Sequence, residues 1–420
     1  MRTVLVAALL LGAACEEASH ETVDRWRYTE KGPDKLVRTL GDEALDPDLR
    51  AHAAQALVEI DAPQRAMAAL AEIPPEPREP IVEKLLVRLW GDAKVSGDMQ
   101  IPSDRQVAAK DALFEVRALA TPAQVARLDG YLIDWLSALY EERARLGRHH
   151  GEKIIHAIGA RAAPKLIAAA RLVVDRPEQG GKLVLVQDLL LRGIAGTGAP
   201  EAIGYLLDLA EKRNYPEPTL PVRAMRALGA AYLDTQTPAA SAGLEPHVAR
   251  LEKLADDERL DGEIANLAFE LIAASGSARC LPPLLQLVGH RDVVRSWQAV
   301  RLALRCRGAD AIVPVVEALQ TDRDYERGIL EKYLWQLVIP LGSGAADAAR
   351  KLLGSPSWVA RVSGVELIAK LGGKADAAAV KALAHDEAKL RGWWPKGDAR
   401  RDPTLGDVAQ NVAEALEKKQ

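Results

Sequence analysis

The chain has 420 residues, 48% of them hydrophobic and 27% charged, an ordinary globular composition that excludes a disordered chain and a polytopic membrane protein. A net charge of −4 offers no positive field for a nucleic-acid backbone, so no nucleic-acid partner is expected. Aromatics make up only 4% beside abundant Ala and Leu, which favours helices over strands.

Arg2, the apolar run from Val4 to Leu11 and the small residues Gly12, Ala13 and Ala14 ahead of Cys15 predict a secretory signal peptide over residues 1–14. The run is far shorter than the roughly 20 apolar residues that span a bilayer. Small residues followed directly by cysteine resemble the lipobox of bacterial lipoproteins, although Gly12 stands where that family usually has Leu and Leu11 lies one residue earlier. The resemblance implies that Cys15 is lipidated as the mature N-terminus and that several acyl chains hold the protein on a membrane of the bacterial cell envelope, facing the periplasm or the cell surface. An ordinary cleaved signal with an incidental Cys15 is the alternative. Residues 15–32, with Glu16, Glu17 and Glu21, read as the lipidated N-terminus and a solvated tether.

Further along, the segments GARAAPKLI from Gly159, GAPEAIGYLL from Gly198, GSARCLPPLLQL from Gly276, GADAIVPVVEAL from Gly308 and GAADAARKLL from Gly344 are variants of one another. With looser copies at Gly243 and Gly373, successive starts lie 39, 45, 33, 32, 36 and 29 residues apart, a variable period that suits paired helices. Pro164, Pro282 and Pro314, five or six residues past the glycine, are expected to bend the first helix of a pair. The glycines suit the left-handed conformation that ends the preceding helix.

A second signature is centred on Arg50, Arg223, Arg295 and Arg361. Four, seven and eight residues beyond each arginine every position is apolar, from Ala54, Leu57 and Val58 to Val365, Ile368 and Ala369. Those positions form one face of an α-helix, which is predicted to be buried with small side chains that allow close helix approach. No alternating strand pattern is present, so the chain is predicted to be all-α, with about nine or ten stacked helix pairs forming one elongated domain.

Together, the glycine-led first helix and the Arg-Ala-Leu second helix resemble HEAT repeats, notably the subtype named after phycobilin lyases. The resemblance is strong over Gly159 to Leu383, returns in Pro33 to Ile60, and is blurred between Ala62 and Leu146. It implies a right-handed α-solenoid, a HEAT/armadillo-like superhelix of stacked antiparallel pairs. Residues 33–158 are read as degenerate repeats with an exposed insertion near Lys94 to Asp104, 159–392 as regular repeats, and 393–420 as a loop and capping helix. In that last helix Leu405, Val408, Ala409, Val412 and Leu416 stripe one face.

Candidate chemistry is sparse. GIAGTGAP from Gly193 lacks the lysine of a phosphate loop and reads as a turn. His149, His150, Glu152 and His156 cluster in sequence, with Glu152 and His156 four apart; the spacing is not that of a zinc protease, and His149 and His156 are kept only as weak metal candidates, with no cofactor expected. The repeated arginines read as bridges to acidic groups of adjacent repeats, a phosphate ladder being the alternative. Three cysteines are present; with Cys15 acylated, Cys280 and Cys306 open the first and close the second helix of one pair and so fall at the same end of a hairpin. A disulfide and two buried reduced thiols are equally compatible with that placement.

Trp297, Trp335 and Trp358 read as filler between helices. Trp393 and Trp394, being adjacent, point in different directions, which leaves one free for a partner or membrane contact beside Arg391, Lys396, Arg400 and Arg401. No catalytic constellation is found, and the chain is expected not to be an enzyme but a lipid-anchored scaffold or adaptor that binds protein partners on a concave solenoid surface. The alternatives are an envelope enzyme or enzyme subunit with a site in 93–156, and a lipid or polysaccharide carrier.

Overall fold

The computed structural model describes residues 17–95, 101–212, 214–233, 243–257, 262–276 and 278–419. The signal peptide, Cys15 and part of the 94–104 insertion lie outside the described residues. About 72% of the described residues are helical, and the protein is all-α. It divides into two compact units, Met1–Gly193 and Ile194–Gln420.

In the first unit the order is α1 (His20–Trp26), α2 (Gly32–Gly41), α3 (Pro47–Glu59), α4 (Pro63–Glu72), α5 (Pro75–Ala93), α6 (Asp104–Val116), α7 (Pro122–Ser137), α8 (Tyr140–Ala144), α9 (Gly151–Ile158) and α10 (Ala163–Asp175). Prolines at the first turn and local caps set the starts. Asp46 accepts from the backbone N–H of Asp48 at 2.7 Å ahead of α3, and Ser103 with Gln106 and Thr121 with Gln124 form capping boxes on α6 and α7. All ten residues from Leu49 to Val58 of α3 are buried because α1, α2, α4, α5 and α6 all pack on it. A helix enclosed on every side has no solvent stripe. Its polar members are accordingly hydrogen-bonded, Arg50 Nε donating to the carbonyl of Leu40 at 2.9 Å.

Part of the stretch read as a tether, 15–32, is helical. The side chains of Ser19 and Thr22 form a capping box, and Val23 and Trp26, three apart on one face of α1, are buried. Burying those two side chains outweighs the acidic residues that marked the stretch as solvated. Among the described residues one strand pair interrupts the helices, Glu178–Gln179 against Lys182–Leu183. Gly180 and Gly181 between them have φ of +58° and +76°, as a two-residue hairpin turn requires.

After α11 (Asp188–Gly196), the second unit contains α12 (Pro200–Glu211), α13 (Leu220–Tyr232), α14 (Val248–Asp256), α15 (Gly262–Ala274), α16 (Leu281–Val288), α17 (Val293–Arg307), α18 (Ile312–Glu317), α19 (Arg327–Leu330), α20 (Gln336–Val338), α21 (Ser343–Leu352), α22 (Trp358–Leu371), α23 (Ala377–Lys381) and α24 (Leu405–Glu417). In α22, Val359, Ala360 and every residue from Val362 to Ile368 are buried, between α18, α21 and α24, while Arg361 is half-buried. On the predicted inner face Ala299, Leu302, Ala303, Val365 and Ile368 are buried, whereas Ala230, Ala231 and Ala369 are half-buried.

Gly159, Gly198, Gly276 and Gly308 all have φ between +54° and +70°, the left-handed region that ends a helix. In the next segment Gly342, not Gly344, takes that conformation, with φ +63°. The prolines do not bend the helices. In the three segments that carry them a 3₁₀ turn precedes the α-helix, Gly159–Ala162, Ala278–Cys280 and Gly308–Ala311, so the α-helix starts later and Pro164, Pro282 and Pro314 fall in its first turn, where no internal donor is lost. Nor do the arginines form one uniform ladder: Arg361 reaches Asp386 at 2.7 Å, Arg223 pairs with Glu217 just ahead of its own helix, and Arg295 is exposed.

Cys280 and Cys306 are joined as a disulfide with Cα atoms 6.7 Å apart, closing the α16–α17 hairpin at one end. The last helix, α24, is capped by Thr404 and Asp407 and buries Leu405, Ala409, Ala413 and Leu416, with Val408 and Val412 at the margin.

Candidate functional site

Five of the eight tryptophans and two of the eight tyrosines gather in the second unit between residues 297 and 394. Here α17, the 323–337 segment and the turn at 392–396 enclose an open groove of about 950 Å³.

On α17 the Asp292 side chain caps the helix, accepting from Val294 N at 2.9 Å and Arg295 N at 3.3 Å. This fixes the first turn, and leaves Val293 and Val294 exposed at 50% and 76%. One turn on, the Trp297 ring stacks on Tyr333 at 5.8 Å between centroids and meets the edge of Tyr325 at 6.4 Å. Tyr325 continues the wall to Trp358 at 6.1 Å. Two side-by-side valines next to an aromatic wall form an apolar surface that water covers at a cost.

The second wall owes its shape to a backbone irregularity. Residues Glu331–Trp335 form a π-turn between α19 and α20, and the wider turn shifts the register so that Lys332 and Tyr333 line the groove while Leu334 and Trp335 stay buried. Such turns recur at functional sites. Ahead of it, Tyr325 N donates to Arg391 O and Arg327 N to Trp393 O, both at 3.0 Å, tying the 323–327 backbone to the third segment.

That third segment holds the adjacent indoles. Asp402 clamps the turn, its two carboxylate oxygens accepting from Gly392 N at 2.9 Å and Trp393 N at 3.0 Å. Gly392 has φ +67°, and a Cβ there would lie 2.8 Å from the Cβ of Asp324, so only glycine fits. Trp393 is buried against Trp335. Trp394 lines the groove, donating Nε1–H to Arg401 O at 3.2 Å with the Arg400 guanidinium 3.6 Å over its ring.

Charged groups rim the groove: Arg301, Arg323, Lys332 and Lys396 on one side of the balance, Asp324 and Glu326 on the other. Arg301 is met by Glu270 at 3.3 Å, and Arg323 donates to the carbonyls of His290 and Arg291 at 3.0 Å.

The first unit holds a cavity of about 500 Å³ lined by Glu59, Asp61, Asp92, Asp104, Asp111, Arg105 and Arg148, within reach of the 93–156 region. Its carboxylates are largely spent on cations. Glu59 pairs with Arg27 and with Arg105 at 2.6 Å, Asp92 with Arg105 at 2.8 Å, Asp61 with Arg148 and Asp111 with the buried Lys110. Burial holds the Glu59 carboxyl above its ordinary value despite Arg27 and Arg105.

The histidine candidates do not converge. His149 Nε2 lies 3.1 Å from Glu115, Glu152 lies 3.2 Å from Arg192, and His156 is exposed on α9. Among the described residues no group of three or more His, Cys, Asp or Glu is placed to hold a metal ion.

Sequence reasoning singled out Trp393 and Trp394 but read Trp297 as filler and passed over Val293, Val294, Tyr325 and Tyr333. A local signal was the pair of valines directly after a capping aspartate, of which Val294 stands four and seven residues ahead of half-buried Gln298 and exposed Arg301 and so off the buried stripe. When the chain is compared with protein-family models and with curated proteins, none matches.

Proposed function

We propose that this protein is an exported binding scaffold, lipidated at Cys15 and held on the bacterial envelope, whose HEAT-type helix pairs stack into a right-handed solenoid and whose aromatic groove takes a protein partner. The observation that carries the binding function is the groove itself. Exposed Val293 and Val294, the Trp297–Tyr333 stack and Trp394 make a concentrated apolar and aromatic surface in a chain with few aromatics. Aromatic anchors of this kind dominate protein–protein contact energies. The left-handed glycines at repeat-like intervals and the largely buried helices α3 and α22 support the stacked-repeat reading. Tethering fits an adaptor, since a lipid-held scaffold raises the effective concentration of whatever it binds.

A photo-crosslinking residue placed at Val294 in the full chain, expressed in cells, tests the binding role. A discrete adduct lost on Trp394→Ala is expected. Equal labelling from Val294 and from exposed Leu172 in the first unit would remove the groove from consideration. The anchor is tested separately, by a mass shift of several acyl chains on the purified protein that Cys15→Ala abolishes.

A further inference from the structure

We propose that the groove of the second unit selects an extended, acidic polypeptide segment in which a bulky apolar side chain is flanked by carboxylates; this inference rests on the protein-binding reading of the same groove. The chain as a whole is negative, yet the cations lining the groove outnumber the carboxylates, Arg301, Arg323, Lys332 and Lys396 against Asp324 and Glu326. Arg301 is already met by Glu270. Among the described residues no carboxylate pairs with Arg323, Lys332 or Lys396, and both lysines are exposed. Beside them the 391–401 segment adds Arg391, Arg400 and Arg401 against Asp398, which is committed to Arg400 at 2.7 Å. An acidic occupant therefore meets uncompensated positive charge at the rim and apolar surface on the floor.

Ring geometry argues for a polypeptide over a sugar. Stacking a pyranose needs a free aromatic face, whereas Trp297 and Tyr333 cover each other, Lys332 Nζ lies 4.9 Å from the Tyr333 ring centre, and Arg400 lies over Trp394. With those faces taken, the edges of the rings and the gaps between them suit an aliphatic or aromatic side chain. An acyl chain wants an enclosed tunnel; this groove is open and carries both signs of charge along its rim, which suits a peptide with alternating side chains.

The test uses the purified full chain in detergent micelles and a phage-displayed library of random dodecapeptides, counter-selected on Val294→Asp. Enriched sequences are expected to combine Leu, Phe or Trp with Asp or Glu. By fluorescence anisotropy, a synthetic winner should bind about tenfold more weakly to Lys332→Glu/Lys396→Glu, and more weakly still at high salt. The same peptide with its acids changed to lysine should show the reverse preference. Enrichment without acidic bias, or unchanged affinity in the double variant, overturns the acidic preference and leaves protein binding standing. No peptide retained by the wild type above Val294→Asp overturns both. Displacement of the winners by anionic phospholipid vesicles, with none by neutral ones, assigns the charge to lipid headgroups and overturns the peptide. Circular dichroism on each variant, whose changed side chains are all exposed, controls for folding.

Discussion

Reducing the Cys280–Cys306 bond tests whether the α16–α17 hairpin is held by its cross-link or by packing alone. The two cysteines are 26 residues apart in sequence, and the loop-closure entropy of a cross-link of that span is worth about 3.5 kcal/mol at room temperature. Cys280 is fully buried, and a reduced thiol remains a small apolar side chain, so reduction removes the constraint on the unfolded chain without opening a cavity. For a unit the size of Ile194–Gln420, each kcal/mol moves the midpoint by about 2–4 °C, which predicts a fall of about 7–14 °C. The assay is thermal unfolding followed by circular dichroism with and without a phosphine reductant, with alkylation and intact mass measured on the same samples. A fall of less than about 2 °C in a sample whose two thiols are fully alkylated would refute the reasoning, as would two free thiols in protein purified and air-oxidised without reductant. The Cys280→Ala/Cys306→Ala variant should match the reduced wild type and ignore the reductant.

Two further outcomes follow from single contacts. Asp402→Ala removes the acceptor shared by Gly392 N and Trp393 N; with hydrogen bonds to charged groups worth about 1.5–3 kcal/mol, hydrogen exchange at residues 390–395 should accelerate at least tenfold while α3 in the other unit is unchanged, and equal protection in both proteins would show that the turn is held elsewhere. His52, buried in α3, is held below its ordinary value first by burial, against the pull of Asp24, with Arg88, His20 and Arg27 pushing the same way as burial. The unfolded chain therefore takes up a proton at His52 that the folded chain resists, so stability present above about pH 6.5 is lost as the pH falls below it. Melts across that range should fall more steeply for the wild type than for His52→Gln, and a steeper fall in the variant would count against the assignment.

The His52 environment also shows where reading along the chain stops. His20 Nδ1 lies 2.8 Å from His52 Nδ1, with Asp24 3.0 Å from His52 Nε2 and Arg27 3.1 Å from the same atom. Nothing in a separation of 32 residues announces that contact, because it forms only when α1 packs on α3. The groove is similar: its walls come from α17, from a π-turn near 333 and from a glycine-bearing turn near 392, and no local pattern specifies that these three meet.

What the sequence determined by itself is everything set within one or two helical turns. The helical class follows from apolar residues at three- and four-residue spacing. Caps such as Thr404 with Asp407 and Thr121 with Gln124 set where helices begin, and left-handed glycines at 159, 198, 276 and 308 set where others end. These are legible because helix geometry couples only near neighbours along the chain. The tertiary structure alone decided that part of residues 15–32 is helical, that prolines fall after a 3₁₀ turn, which arginines meet carboxylates, and which of the two adjacent indoles reaches a groove. Those outcomes depend on which surfaces lie opposite one another, and burial energy between distant segments outweighs the local preferences that a linear reading can weigh.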